Sequence, residues 1–347
     1  MNLDQTLIED IENEEIDYRY EITSYGADYP VDSIVKRIND DIIYVPPFQR
    51  KFVWNQNAAS KFIESLILGL PVPGVFLSKE KVSGRMIIVD GQQRLVSLNS
   101  FYNGVFKGKE FTLTGLGSNL NGRTYKTLDT SDRIRLDDSI IHATIIRQDE
   151  PDDAESSVYL IFERLNTGGN PLRPQEIRAC IYYGEFNETL NSIVQTPNWR
   201  AVFGRENERL KEQELILRFF SLYAFKESYT KPLKGFLNRF MSLNRNLEVI
   251  PKEQLEKIFE DAIEPFSEVL GKSAFRLGGP LNAAVFDSSM IGLSERIKTS
   301  EITNEEFELK YKALLDNPEY IENVKGATSD ETLVNNRIRI AIETFSK

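Results

Sequence analysis

Cysteine and histidine are nearly missing from this sequence, with one of each, Cys180 and His142, among 347 residues. A single cysteine excludes an intrachain disulfide and a multi-cysteine metal site. A single histidine excludes an HNH-type metallonuclease, whose chemistry needs histidines both as base and as metal ligand, and a Ser-His-Asp triad would rest wholly on His142. Because His142 lies in the apolar, β-rich run "SIIHATIIR" (139–147), we expect a strand histidine without a chemical role.

Long apolar runs and an excess of positive charge are also lacking. The longest charge-free apolar stretch, 65–78, contains two prolines and two glycines, so it is too short and too broken to span a bilayer. The formal net charge is −11, so we expect no adhesion to nucleic acid over the whole surface, although a local basic groove stays open. The acidic first residues argue against a secretory signal. We therefore expect a soluble cytoplasmic protein without a membrane partner, with Cys180 as a buried thiol.

The sequence does have the composition of a folded protein, with 41% hydrophobic and 11% aromatic residues. Its pattern predicts an α+β fold: an acidic leader over 1–28, an α/β domain over 29–150 and an all-α domain over 151–347. In the α/β part we expect a helix over 31–38 and another over about 58–68 that Asn55 or Asn57 caps. The expected strands are "PGVFLS", "RMIIVD", "FTLTGL" and "SIIHATIIR".

Beyond residue 152 the pattern becomes helical. Helical spacing is clear in "AESSVYLIFERLN", "LKEQELILRFFSLYAF", "KEQLEKIFEDAIEPFSEVLG", "NEEFELKYKALLDN" and "SDETLVNNRIRIAIETF". In "PQEIRACIYYG", Pro174 stands at a first-turn position that proline favours. Arg337 and Arg339 on the last of these helices could pair with carboxylates or with a phosphate, and pairing with carboxylates is the commoner use.

A polar cluster, residues 90–94 (Asp-Gly-Gln-Gln-Arg), interrupts the apolar pattern of "IIVDGQQRLVSL" (87–98). It lies where the sequence predicts that a strand ends and a helix begins. The first N–H groups of a helix have no intrahelical partner and its dipole is positive there, so the place suits an anion. Gly91 lets a phosphate approach the backbone, Gln92 and Gln93 offer amide groups, and Arg94 can grip phosphate oxygens bidentately. Asp90 could hold a metal ion, orient Arg94 or position a water.

A structural interpretation of the same five residues is equally compatible with the chemistry. In it Asp90 caps the helix, Arg94 pairs with a surface carboxylate, and Gln92 and Gln93 face solvent, since strand–glycine–helix turns are common. The residues alone leave both interpretations open.

Two other stretches carry polar residues in positions that favour a site. "PPFQRKFVW" presents Gln49 and Arg50 among aromatic residues on a segment that two prolines stiffen, as the second wall of a site would. "FERLNTGGNPL" (162–172) ends a helix on glycines, and Arg164 and Asn166 lie about one turn before them. The alternative is that the aromatic residues are core anchors and that the glycines are ordinary helix C-caps.

Taken in order, "VPPFQRKFVW", "IESLILGLPVPGVFL", "IIVDGQQRLVSL" and "FERLNTGGNPLRPQEIR" resemble the GmrSD amino-terminal-domain family of restriction and anti-phage defence proteins. The most specific element is the Asp-Gly-Gln-Gln-Arg motif at 90–94. The resemblance implies a ParB/sulfiredoxin-like α/β domain, followed here by an all-α helical domain. It also implies that the strand-to-helix turn contacts nucleotide phosphates.

By the same resemblance, the chain would bind an NTP with Mg²⁺ and hydrolyse it as a sensor of foreign or modified DNA. The nucleotide-binding residues would be Gln49, Arg50, Gly91, Gln92, Gln93, Arg94, Arg164 and Asn166, and the catalytic ones Asp90 and Arg94. Many relatives carry an HNH-type nuclease domain, which one histidine cannot supply. The resemblance therefore implies either a nuclease on a separate partner or a stand-alone member whose output is unknown. The alternative is a binding module without catalysis, in which the same cleft holds DNA phosphate or a protein.

Overall fold

A computed structural model describes residues 21–45, 52–80, 83–117, 119–150, 156–165, 172–207, 209–326 and 328–346. They form two compact units, one of residues 21–172 with 179–181, the other of residues 173–178 and 182–346. We refer to them as the sheet unit and the helical unit. The predicted fold class is confirmed: a mixed sheet comes first in the chain, and helices follow it.

The sheet unit contains these elements in chain order: β1 (Glu21–Pro30), α1 (Val31–Asn39), β2 (Ile43–Tyr44), α2 (Gln56–Ile67), β3 (Val75–Lys79), β4 (Met86–Asp90), α3 (Gln92–Asn103), β5 (Val105–Phe106), β6 (Lys109–Glu110), α4 (Thr130–Asp138), β7 (Ile140–Glu150) and α5 (Ser156–Leu165). Five strands form a sheet in the order β1-β7-β3-β4-β2, and β5 and β6 form a small hairpin. The β3–β7 and β2–β4 pairs are parallel, whereas β1–β7 and β3–β4 are antiparallel. The central strands β3 and β4 are therefore held on both edges.

Alternate residues of the central strands bury one face of the sheet under α1–α4. From the strands, Val75, Leu77 and Ile88 enter this core, and the helices supply apolar residues that include Ile34, Ile63, Leu66, Leu95, Leu98, Phe101 and Leu136. All of these residues are at most 3% exposed. Since packing on this scale fixes side-chain positions, the β4–α3 junction is part of a rigid framework.

Most of the predicted elements in this unit are confirmed, with small shifts at their ends. The expected helix over 58–68 is α2, and Asn55 caps it by accepting the Ala58 N–H at 2.9 Å. The predicted strand "FTLTGL" (111–116) is wrong, because side chains of α2 take its backbone groups. Gln56 donates to the Thr112 carbonyl at 2.6 Å, and the Ser60 hydroxyl accepts the Thr114 N–H at 2.9 Å.

The start of the sheet also differs from the expectation. Residues 21–28, which the sequence analysis assigns to an acidic leader, belong to β1, the edge strand paired with β7. Backbone pairing holds this strand, and most of its described side chains are exposed or half-buried. An edge strand of this kind leaves little hydrophobic pattern to read.

The sheet unit also extends beyond the predicted boundary at residue 150, because α5 packs against β4 and β7.

The helical unit confirms the helices predicted for it. Its elements are α6 (Pro174–Ile181, whose last residues group with the sheet unit), α7 (Glu185–Ile193), α8 (Pro197–Phe203), α9 (Lys211–Phe225), α10 (Leu233–Leu243), α11 (Lys252–Pro265), α12 (Ala283–Ile297), α13 (Asn304–Asp316), α14 (Pro318–Val324) and α15 (Glu331–Ser346). Pro174 is the first residue of α6, as predicted. The most extensive helix–helix packing in this unit is between α12 and α15. Helix α12 is buried along most of its length.

Candidate functional site

The strand-to-helix junction between β4 and α3 depends on Gly91. Its φ of +96° lies in the left-handed region, which residues with a Cβ avoid. A Cβ at this position would come within 2.4 Å of the Val75 Cγ1 atom and 3.2 Å of the Arg94 Nη2 atom. Only glycine fits between β3 and the first turn of α3, so the tightness of this junction follows from packing as well as from backbone conformation.

Arg94 is held on one side of its guanidinium group. Its Nη2 atom donates to the Gly74 carbonyl and to the Asp90 carboxylate, both at 2.9 Å. Its Nε atom is buried without a partner, and its Nη1 atom has no hydrogen bond to any residue that the structure describes. The side chain is 17% exposed. The guanidinium group is thus fixed in place with donor capacity left over.

Asp90 and the helix terminus beside it complete the electrostatics of the junction. Asp90 is 46% exposed and uses one carboxylate oxygen for Arg94. No side chain in the described part of the chain caps α3, so within that part its first N–H groups stay available at the positive end of the helix dipole. The predicted capping role of Asp90 in the structural interpretation is therefore wrong, and Arg94 pairs with a carboxylate of its own motif.

The two glutamines have different environments. The Gln93 Oε1 atom accepts the backbone N–H groups of Val53 and Trp54, both at 3.0 Å. Gln92 is half-buried, and its side chain has no hydrogen bond to any described residue. The expectation that both glutamines simply face solvent fails for Gln93, which links α3 to a segment 40 residues earlier in the chain.

The segment that Gln93 binds immediately follows the first companion motif. Its aromatic residues are core anchors, as the alternative interpretation expected: the Phe52 ring lies 5.5 Å from Phe106, and the Trp54 ring lies 5.8 Å from Phe62. The Lys107 Nζ atom lies 5.2 Å from the Phe52 ring centroid. Gln49 and Arg50 themselves lie outside the described residues.

The third motif is described only in part. Arg164 is exposed in the last turn of α5 and makes no hydrogen bond or ion pair with any residue that the structure describes. Asn166 and the glycines after it lie outside the described residues. The structure therefore brings together residues 90–94 and the segment 52–54, and it leaves the predicted roles of Arg164 and Asn166 as predictions.

Residues 31–183 match the family described as GmrSD restriction endonuclease, N-terminal domain. This part of the chain belongs to that family. Every site residue predicted above falls within the matched range, and the Asp-Gly-Gln-Gln-Arg motif lies near its centre. No curated protein matches the chain. This match identifies residues 31–183 as a restriction-related module.

Other features of the GmrSD N-terminal domain bear on its chemistry. Its histidine, His142, lies in β7 as expected, and its Nδ1 atom is 2.6 Å from the Asp28 carboxylate of β1, with both side chains more than half exposed. Cys180 is buried. Among the described ranges, no group of three or more His, Cys, Asp or Glu residues could hold a metal ion. In the same ranges, no helix combines the length and the apolar character that crossing a membrane requires.

One residue of the site was missed by the sequence analysis. The Gly74 carbonyl, which accepts from Arg94, precedes β3, and a Cβ on Gly74 would lie 2.8 Å from the His142 carbonyl oxygen. The run "PVPG" marks the end of the turn before a strand, but no local signal indicates that its carbonyl faces α3.

Proposed function

We propose that the GmrSD N-terminal domain of this chain binds a nucleoside triphosphate at the first turn of α3 and hydrolyses it. In this proposal the chain is the sensor of a modification-dependent restriction or anti-phage defence system. The 347 residues hold one histidine, so we place an HNH-type nuclease activity outside them. In this proposal a separate partner supplies it. The observation that carries the proposal is the half-engaged guanidinium group of Arg94 beside an uncapped helix N-terminus.

The backbone of the junction supports binding of a phosphate. With Gly91 at the N-cap, no side chain among the described residues makes a capping hydrogen bond to the first N–H groups of α3, which can therefore bind an anion. Such N–H groups and the helix dipole favour a negative charge at low cost, since the peptide groups are already oriented. These features support our proposal that the phosphate chain of the nucleotide binds at Gln92 and the first turn of α3.

Arg94 supports the chemistry as well as the binding. Its Nη2 contacts fix the plane of the guanidinium group, so an Nη1 donor needs no reorganisation when charge develops on the transferred phosphoryl group. Donors fixed before the reaction stabilise a transition state more effectively than donors that must be ordered during it. Arg94 is assigned this role.

Asp90 fits the carboxylate that a nucleotide-bound Mg²⁺ takes from a protein. Such an ion usually keeps several waters and binds one or two carboxylates together with the substrate phosphates. When bound, it would neutralise charge on the phosphate oxygens. The exposed fraction of Asp90 leaves one oxygen accessible, and this oxygen could alternatively orient the attacking water. Gln49, Arg50, Arg164 and Asn166 stay candidate nucleotide contacts.

The proposal is tested with a panel of the common NTPs plus Mg²⁺, measuring thermal stabilisation and phosphate release. We expect wild type to respond to at least one nucleotide, and Arg94→Ala to bind it about 10- to 100-fold more weakly, the usual loss for a hydrogen bond to a charged group. Arg135→Ala is the matched control, because Arg135 is an exposed arginine of α4 in the same unit. It should behave as wild type.

Unchanged nucleotide affinity in a folded Arg94→Ala variant would overturn the assignment of Arg94. A wild type that neither binds nor hydrolyses any nucleotide would overturn the proposed function as a whole.

A second candidate function is a non-catalytic module that holds DNA phosphate in the same place. The distribution of charge weakens the main objection to it: residues 1–18 carry seven acidic residues and no basic one, so the rest of the chain is closer to neutral, with 46 acidic against 42 basic residues. The overall charge of −11 is thus less of an obstacle than it looks. Arginine and glutamine are also suitable for reading phosphates and base edges.

Salt dependence separates the two candidates. DNA binding through phosphates weakens steeply as salt rises, and it would be seen without NTP. Tight, salt-sensitive DNA binding that Arg94→Ala abolishes, with no phosphate release, would favour the second function over the first.

A further inference from the structure

Gln93 links the first turn of α3 to a segment about 40 residues earlier in the chain. Its amide oxygen accepts two consecutive backbone N–H groups, from Val53 and Trp54, at 3.0 Å each. Only the oxygen of an amide can accept, so the orientation of this group follows from its partners. The Gln93 oxygen is committed to the protein, not to a ligand.

The position of Gln93 on α3 determines what this bond does. Gln93 is the second residue of the helix, so the segment 52–54 is held directly beside the first turn, where the nucleotide phosphates are placed above. Val53 is 50% exposed, and the segment has no strand partner among the described residues. Ring contacts of Phe52 and Trp54 hold its two ends. The middle of the segment depends on Gln93.

We propose that Gln93 is a positioning residue, which acts on the nucleotide only by holding the segment 52–54 as a wall beside the first turn of α3. This inference rests on the proposed function and deepens it. It separates the two adjacent glutamines: Gln92 faces the ligand, whereas Gln93 builds the wall before the ligand arrives. The role differs from the direct nucleotide contact that the motif resemblance implies.

Hydrogen exchange without nucleotide tests the first half of the proposal. In wild type the amides of Val53 and Trp54 should be protected, and in Gln93→Ala they should exchange about tenfold faster, because their acceptor is gone. In Gln93→Glu the protection should persist, since a carboxylate oxygen accepts both N–H groups. Unchanged protection in Gln93→Ala would overturn the inference.

Nucleotide affinity of the same Gln93→Ala protein tests the second half. We expect the Kd to rise about tenfold, together with the loss of protection. Protection that persists while binding is lost would identify Gln93 as a direct ligand. Protection that is lost while affinity is unchanged would show that the segment does not serve the site. Either result would overturn the proposal.

Asn55→Ala is the matched control. Asn55 follows the segment directly, and its side-chain oxygen likewise accepts a backbone N–H, that of Ala58. Its loss should lower stability as a lost helix cap does, yet leave the Val53 and Trp54 amides protected and the Kd unchanged. A wild type that binds no nucleotide would overturn the proposed function, while the exchange experiment without nucleotide would still show whether Gln93 holds the segment.

Discussion

Arg337 in the helical unit and Arg94 in the sheet unit are bound in opposite ways. In the helical unit Arg337 is fully buried and engages every nitrogen of its guanidinium group: Nε and Nη2 donate to Asp287, and Nη1 donates to the Thr328 carbonyl at 2.8 Å. Arg218 shares both acceptors. In the sheet unit Arg94 uses one nitrogen and keeps an accessible one.

The contrast distinguishes an arginine that holds a fold from one that is available to a ligand. A buried guanidinium group is tolerated only when charge and hydrogen bonds are compensated inside the protein, and Arg337 meets that condition. Arg94 meets it only in part, at a junction where Gly91 already forces a tight turn. Arg218 also leaves one nitrogen, Nη1, without a partner among the described residues, but that atom is buried, whereas the free Nη1 atom of Arg94 can be reached by an anion.

Removing Asp287 should have the largest effect on stability. Asp287→Ala leaves the buried guanidinium groups of Arg218 and Arg337 without a carboxylate, which we expect to lower the free energy of unfolding by about 3–5 kcal/mol. Urea unfolding followed by Trp199 fluorescence in a Trp54→Phe background would report on the helical unit.

Ser289→Ala is the control for this prediction, since Ser289 is fully buried on the same helix and, among the described residues, its hydroxyl donates only to the Val285 carbonyl one turn earlier. Its cost should be below about 1 kcal/mol. If Asp287→Ala costs no more than Ser289→Ala, the buried cluster does not hold the helical unit and the contrast with Arg94 fails.

The second largest effect on stability is expected at Gly91, and it should exceed the effect at Gly104. These glycines are the N-cap and the C-cap of α3. Gly91→Ala meets a left-handed φ and the Val75 side chain, so we expect a loss of about 2–4 kcal/mol. Gly104 has a φ of +73° but no atom within 4 Å of an added Cβ, so Gly104→Ala should cost only about 1 kcal/mol. Thermal unfolding by circular dichroism compares the two variants directly. Equal losses would show that Gly91 is needed for its backbone conformation alone.

Arg94→Lys should lower the stability of the fold less than Gly91→Ala does, and its main effect should be on nucleotide binding. A lysine ammonium keeps the charge, but its donors share one nitrogen at the end of a flexible chain. It has no second nitrogen, held in a fixed plane by the Gly74 and Asp90 contacts, to present to the ligand. We expect the free energy of unfolding to fall by about 1 kcal/mol, with nucleotide affinity reduced about tenfold or more. Calorimetric titration with the nucleotide found in the panel measures the second effect. Wild-type affinity in Arg94→Lys would mean that charge alone matters at this position.

The sequence predicts the framework of the molecule where one physical signal dominates. The β4–α3 junction was predictable because an apolar strand, a glycine and renewed apolar spacing occur in order, and α6 because proline favours a first helical position. The central helix α12 was missed, since Asp287, Ser288 and Ser289 interrupt its apolar pattern. These polar residues are buried and bonded within the core, and no single-segment pattern shows their partners.

In the site, too, local features could be predicted from the sequence, whereas contacts between distant segments could not. That residues 90–94 form one cluster could be predicted, because they are adjacent in the chain. That Gln93 binds Val53 and Trp54, and that Arg94 binds the Gly74 carbonyl, could not, because these contacts join segments 20 or more residues apart and depend on the tertiary fold. The strand predicted over 111–116 failed for a similar reason, as side chains of α2 replaced a strand partner.

The smallest effect is expected at Arg339, two residues from Arg337 on α15. Arg339 is about half exposed and pairs with Glu319 and Glu343. Burial lowers the pKa of Arg337 against the attraction of Asp287, whereas the hydrogen bond to Glu343 raises the pKa of Arg339. Solvent screens such exposed pairs, so Arg339→Ala should leave the midpoint of urea unfolding unchanged. A clear shift of this midpoint would mean that the exposed ion pairs of Arg339 stabilise α15. Arginines that hold the fold could then not be distinguished from Arg94 by their burial.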